Sequence, residues 1–302
     1  MTTIRPAAVA LAFALLMAVA PVPATAEPVY QPTLASLRTH PVPAWYEDGK
    51  FGIFIHWTAA TIPAYATKGL PVLGYAEWYW FFQQQTLFPA WTYHKQTYGT
   101  DVLYDDFIPQ WHTENFHADD WLDLFEEAGA KYFVFVTKHH DGLALFPTAT
   151  TDRHTGNMGP GRNLVGELMD ASRARGDAVK PGLYYSLPEF FNPAPNPSLS
   201  TNPLTAVIEL LAFRGKAKNA YTGAPVPYTG YKPIADYARD HAIPQIRELI
   251  HQYSPSVLWC DIGGNQSYFR SNEWIAEFYN HALETNPDGV VVNDRCGDQV
   301  LD

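Results

Sequence analysis

Short, unbroken apolar runs alternate along this chain with longer stretches in which apolar residues recur every three or four positions. The unbroken runs are Phe51 to Ile55, Tyr132 to Thr137, Gly182 to Ser186, Ser256 to Trp259 and Gly289 to Val292. A continuous apolar run of this length predicts a strand buried on both faces, the usual state in a parallel sheet. Between the runs lie helical patterns. Trp121, Leu124, Phe125 and Ala128 share one face, opened by Asp119-Asp120 and closed by Gly129. Further helices are predicted over Leu164 to about Arg175, from about Pro233 to Tyr253, and from about Asn272 to Glu284. Strand followed by helix recurs along the chain, so a parallel α/β architecture is expected. A closed eight-strand barrel calls for more units than these, so the expectation is an irregular barrel or a truncated sequence.

Two stretches break the rhythm. Residues 58–112 keep no period but are rich in aromatics, including Glu77-Trp78-Tyr79-Trp80. They predict a long connection with short helices, the kind of loop that shapes a site. Residues 188–232 form a Pro-rich excursion, expected to be partly helical around Leu204 to Phe213.

Composition adds boundaries. Arg5, the apolar run Ala7 to Ala20 and Ala24-Thr25-Ala26 predict a secretory signal peptide over residues 1–26, cleaved near Ala26. The apolar run is short for a bilayer span, which needs about 20 residues. The expected location is therefore secreted, extracellular or periplasmic, with residues 27–302 as one barrel-sized domain. Losing Arg5 and no acid moves the formal net charge from −11 to −12. An acidic surface argues against nucleic acid or anionic membrane as partner. Cys260 and Cys296, the 2 cysteines, make no framework and no metal pattern, and the sequence leaves their pairing open. Aromatics reach 15%, which suits flat sugar-binding faces but equally a large core.

The chemistry lies at the ends of the apolar runs. They finish in His56-Trp57, in His139-His140-Asp141, in Tyr184-Tyr185-Ser186, in Asp261 and in Asp294-Arg295. Ligands bind at the carboxyl ends of strands in α/β sheets and barrels. No H-E-x-x-H, C-x-x-C, nucleophile elbow or phosphate loop appears, so no metal site and no cofactor are expected. Carboxylates, imidazoles, tryptophans and one Arg suit a neutral polyhydroxyl ligand and acid–base work on it.

The segments AWYEDGKFGIFIHW, EWYW, NFHADDWLDLFEEAGAKYFVFVTKHHDG, GLYYS, SVLWCD and VVVNDR resemble the catalytic domain of α-L-fucosidases, glycoside hydrolase family 29. The resemblance implies a TIM-like (β/α)8 barrel and a retaining exo-glycosidase acting on terminal α-L-fucosyl residues of a glycan. Asp261 matches the family's nucleophile, which forms a covalent fucosyl-enzyme. His56, His139 and His140 match sugar-binding histidines, with one of the adjacent pair expected to point away. Glu77 and Trp78 match a carboxylate beside an aromatic surface. Tyr184, Trp259 and Arg295 match further pocket positions, while Tyr79 and Tyr185 are expected in the core. The family's acid/base is usually a Glu beyond the VNDR segment, followed by a β-sandwich, and the sequence stops at Asp302 before either. Glu77 is the best substitute as acid/base, ahead of Asp298 and Asp302. Two other readings stay open: a truncated fucose-binding chain with little turnover, and a glycosidase for a related sugar such as an L-galactoside.

Overall fold

The computed structural model describes residues 29–69, 74–191, 211–213, 215–227, 234–262 and 266–296. The leader, most of the expected helix near Leu204, and Asp298 and Asp302 lie outside the described residues.

Among the described residues, five strands form one sheet: β1 (Gly52–Ile55), β2 (Tyr132–Lys138), β3 (Lys180–Ser186), β4 (Val257–Asp261) and β5 (Val291–Val292). Their spatial order is β1-β2-β3-β4-β5, and every pair is parallel. Each strand thus lies beside its successor in sequence, the winding of an α/β barrel rather than of a sheet whose order reverses. Helices α1 (Ala118–Glu127), α2 (Leu164–Ala174), α3 (Ile243–Tyr253) and α4 (Ser271–Thr285) precede β2, β3, β4 and β5 respectively. Gly129 follows α1 in the left-handed region, φ +79°, where a side chain is disfavoured.

The two faces of the sheet bury different things. Phe133, Phe135, Leu183, Tyr185 and Leu258 pack against the apolar stripes of the helices, including Phe125, Leu168, Ile246 and Trp274. Val134, Val136, Tyr184 and Val257 form a separate cluster on the other face, joined by Trp45, Tyr132 and Trp259. This inner face is tightly built at Gly182, where a Cβ would come within 2.5 Å of the Phe133 carbonyl oxygen. Only glycine permits β2 and β3 to approach there.

The β2–β3 register slips between Val136 and Lys138: Tyr184 faces Val136, but Tyr185 faces Lys138. Thr137 is the extra residue, and its hydroxyl donates to the Tyr184 carbonyl at 2.6 Å. A bulge of this kind re-aims the side chains that follow it. Lys138 is directed to the helix side, where its ammonium sits 4.3 Å from the Tyr185 ring. Asp141 is also withdrawn, accepting from the Tyr104 hydroxyl at 2.7 Å and the Leu143 N–H at 3.2 Å. Of the four polar groups on this strand end, His139 and His140 are the ones left facing the site. Among the described residues no helix is long and apolar enough to cross a membrane.

Candidate active site

A cavity of about 400 Å³ opens at the carboxyl ends of the strands. β1 supplies His56, β2 supplies His139 and His140, and β4 supplies Asp261 and then Ile262. Glu77 and Trp78 enter on the 3-10 turn Ala76–Trp78, and Tyr75, Phe82 and Phe88 complete that wall. Arg295 closes the opposite side from the turn after β5. The long aromatic connection is therefore a wall of the cavity.

Asp261 is held at both carboxylate oxygens. Oδ1 accepts from the Ile262 N–H at 2.9 Å and pairs with Arg295 Nη1 at 2.8 Å. Oδ2 accepts from the Tyr184 hydroxyl at 2.8 Å and lies 3.7 Å from His140 Nε2. Burial, followed by the Asp261 charge, pushes the Tyr184 phenol well above its ordinary value, so it stays a donor. Ile262 takes φ +49°, a left-handed conformation that is strained for a β-branched residue. That strained turn aims the Ile262 N–H back at the carboxylate. Of the side chain, 17% is exposed, enough to meet a ligand.

The histidines are fixed differently. Ser186 gives its hydroxyl proton to the Pro188 carbonyl at 2.6 Å, so it can only accept from His140 Nδ1, 2.5 Å away. His140 therefore carries its proton on Nδ1 and presents Nε2 as an acceptor. His139 and His140 ring centroids stand 4.1 Å apart. Burial first, and then neighbouring positive groups, hold both well below the usual histidine value. Desolvation lowers His56 as well, with Glu77 and Asp261 pulling the other way. Neutral imidazoles both donate and accept, as hydroxyls do. His139 Nδ1 and His140 Nε2 take no partner from the described protein, a cost that a hydroxyl-bearing ligand removes.

Most expected site residues converge, with three corrections. Both His139 and His140 line the cavity, just beyond the bulge at Thr137; neither points away. Tyr184 stands beneath Asp261 and acts on the carboxylate rather than lining the cavity wall. Trp259 lies level with Tyr184 on the neighbouring strand, two residues before Asp261 on the inner face, with its ring 5.3 Å from that of Phe54. Tyr79 and Tyr185 are buried in the core. Tyr75, Phe82, Phe88 and Ile262 were not legible as site residues. Nothing in a loop without period says which ring faces inward. Donor atoms of His56, Glu77 and His139, and those of His139, His140 and Asp261, lie within 4.8 Å of one another. These are the groups a divalent cation would find.

Fold and cavity define an α/β-barrel-type chain with a strand-end cavity lined by imidazoles, carboxylates and aromatic rings. The α-L-fucosidase family model matches residues 17–302. Tissue α-L-fucosidase of Bos taurus is 34% identical over 277 residues, covering 90% of this chain and 50% of that protein. An α-L-fucosidase of Dictyostelium discoideum is 31% identical, with 90% of this chain and 53% of that protein covered. The Thermotoga maritima α-fucosidase, solved in complex with fucose, superposes with a TM-score of 0.67 at 34% identity, covering 88% of this chain and 56% of that one. The chain belongs to the α-L-fucosidase family. It spans about half the length of the curated relatives it matches.

Proposed function

We propose that this chain carries the fucose-binding and nucleophile-bearing part of a retaining exo-α-L-fucosidase. The observation that carries the reading is the Asp261 carboxylate, gripped by Tyr184, Arg295 and a backbone N–H in a cavity of neutral imidazoles. A carboxylate so held attacks the anomeric carbon as the bond to the leaving oxygen breaks, giving a covalent fucosyl-enzyme. Water then attacks the same carbon, the Asp261–sugar bond breaks, and fucose leaves with retained configuration.

His56 and His139 bind sugar hydroxyls as donor or acceptor, and His140 accepts from one at Nε2. The apolar wall of Trp78, Phe82 and Phe88 takes the C6 methyl, which has no hydrogen bond to offer. Glu77 accepts from a hydroxyl beside His56. It is also the carboxyl in this cavity that can act as acid/base, and retaining chemistry sets two such groups about 5–5.5 Å apart. The substrate class is a terminal α-L-fucosyl glycan. The leader over residues 1–26 supports export, with residues 27–302 as the α/β unit.

The test is a panel of activated aryl glycosides, whose leaving groups need little protonation. The chain is expected to hydrolyse the α-L-fucoside with kcat/KM about 10-fold or more above the α-L-galactoside, since an added hydroxyl in an apolar pocket costs roughly 1–3 kcal/mol. Equal rates on the two sinks the methyl-wall assignment. Fucose binding with no turnover of any glycoside replaces hydrolysis by a binding role.

A further inference from the structure

Cys260 and Cys296 are joined by a disulfide that spans a sequence separation of 36. Their neighbours give the bond its interest. Cys260 immediately precedes Asp261, and Cys296 immediately follows Arg295, the residue paired with Asp261 at 2.8 Å.

The sheet has run out at this point. The β4–β5 ladder stops at Leu258 and Val292. One residue later the Asn293 side chain takes over the pairing: the Cys260 N–H donates to its Oδ1, and its Nδ2 donates to the Cys260 carbonyl, both at 2.9 Å. The disulfide then fastens the short turn Asp294–Cys296 to the same strand residue. Arg295 itself is exposed by 52%. A long exposed side chain on a three-residue turn loses both backbone and rotamer freedom when it holds one geometry, and an exposed ion pair offsets little of that. Fixing the turn covalently removes the backbone share. Both cysteines are 1% exposed, out of easy reach of a reductant, which makes the bond a fixture rather than a redox sensor.

We infer that the Cys260–Cys296 disulfide, with Asn293, is a positioning clamp that holds Arg295 on the Asp261 carboxylate. Neither cysteine touches a reacting atom. The clamp acts by keeping adjacent backbone in register, and the inference rests on the reading of Asp261 as nucleophile.

A double-mutant cycle on the whole chain tests it, using an activated aryl α-L-fucoside. The four proteins are the wild type, Cys260→Ala/Cys296→Ala, Arg295→Ala and the triple variant. Removing the disulfide is expected to lower kcat/KM by about 10-fold or more, because a misplacement of about 1 Å can cost on the order of 100-fold. The same removal should cost less than about 2-fold once Arg295 is gone, since the clamp then has nothing to position. Equal losses in both backgrounds overturn the clamp and leave only a general stabiliser. Should the cysteine variant fail to fold, Asn293→Ala replaces it in the same cycle with the same criterion. Wild-type turnover no greater than that of Asp261→Gly overturns the nucleophile reading alone. The clamp is then read from a crystal structure of the disulfide-free or Asn293→Ala chain. Arg295 displaced from Asp261 supports it, and an undisturbed pair overturns it.

Discussion

Replacing Asp261 by glycine is expected to lower kcat/KM on an activated aryl α-L-fucoside by about 1000-fold or more, which corresponds to roughly 4 kcal/mol of barrier. The size of the effect follows from the role. Among the described residues of the cavity no other carboxylate is aimed by three donors, and the proposed covalent route has no second nucleophile so held. Tyr184 and Arg295 lose their shared acceptor, but Arg295 is 52% exposed and water serves it instead. The variant is therefore expected to fold, with a far-UV spectrum matching the wild type. Unchanged turnover in a folded variant removes Asp261 as nucleophile.

A comparably large effect, on stability, is expected at Lys138. Its ammonium donates to Glu189 at 2.8 Å and to the Tyr237 hydroxyl at 3.0 Å, while His241 Nε2 lies 2.8 Å from the same Glu189 oxygen. The side chains of Lys138, Glu189 and His241 are all 0% exposed. Lys138→Met leaves the Glu189 carboxylate buried without its main cation, which typically costs about 3–5 kcal/mol. Lys138→Met/Glu189→Leu should lose less than the sum of its single changes, because it strands no charge. Urea denaturation measures both, and a single-variant loss under about 1 kcal/mol contradicts the network's role.

The same network sets a pH dependence. Burial alone would raise the Glu189 carboxyl, but Lys138 and His241 outweigh it and hold it below its ordinary value. The unfolded chain then binds the proton first, so the Glu189 contribution is complete above about 4.5 and is lost as pH falls below that. The loop bearing Glu189 also meets the site, the Phe190 N–H donating to the His140 carbonyl at 2.7 Å.

The strands and their crossover helices were legible because parallel strands buried on both faces read as unbroken apolar runs, and their helices as one-sided stripes. The site was legible where strand direction delivers a residue to the carboxyl end, as at His56, His139, His140 and Asp261. The bulge at Thr137 was not legible, since an extra residue leaves the apolar pattern intact while turning Lys138 away. Trp259 misled for a related reason: side chains two apart share a face, but at different depths. The disulfide depended on where the turn after β5 comes to rest, a tertiary fact that spacing does not carry. Phe82 and Phe88 reached the cavity from a connection whose path only packing determines.

The central claim is that Asp261 forms a bond to the sugar, and the anomeric form first released from an aryl α-L-fucoside tests it most directly. Two displacements at one carbon return the starting configuration, so proton NMR during early turnover should show α-L-fucose forming first and only later mutarotating. Initial release of β-L-fucose would mean a single displacement by water, and would contradict the role given to Asp261.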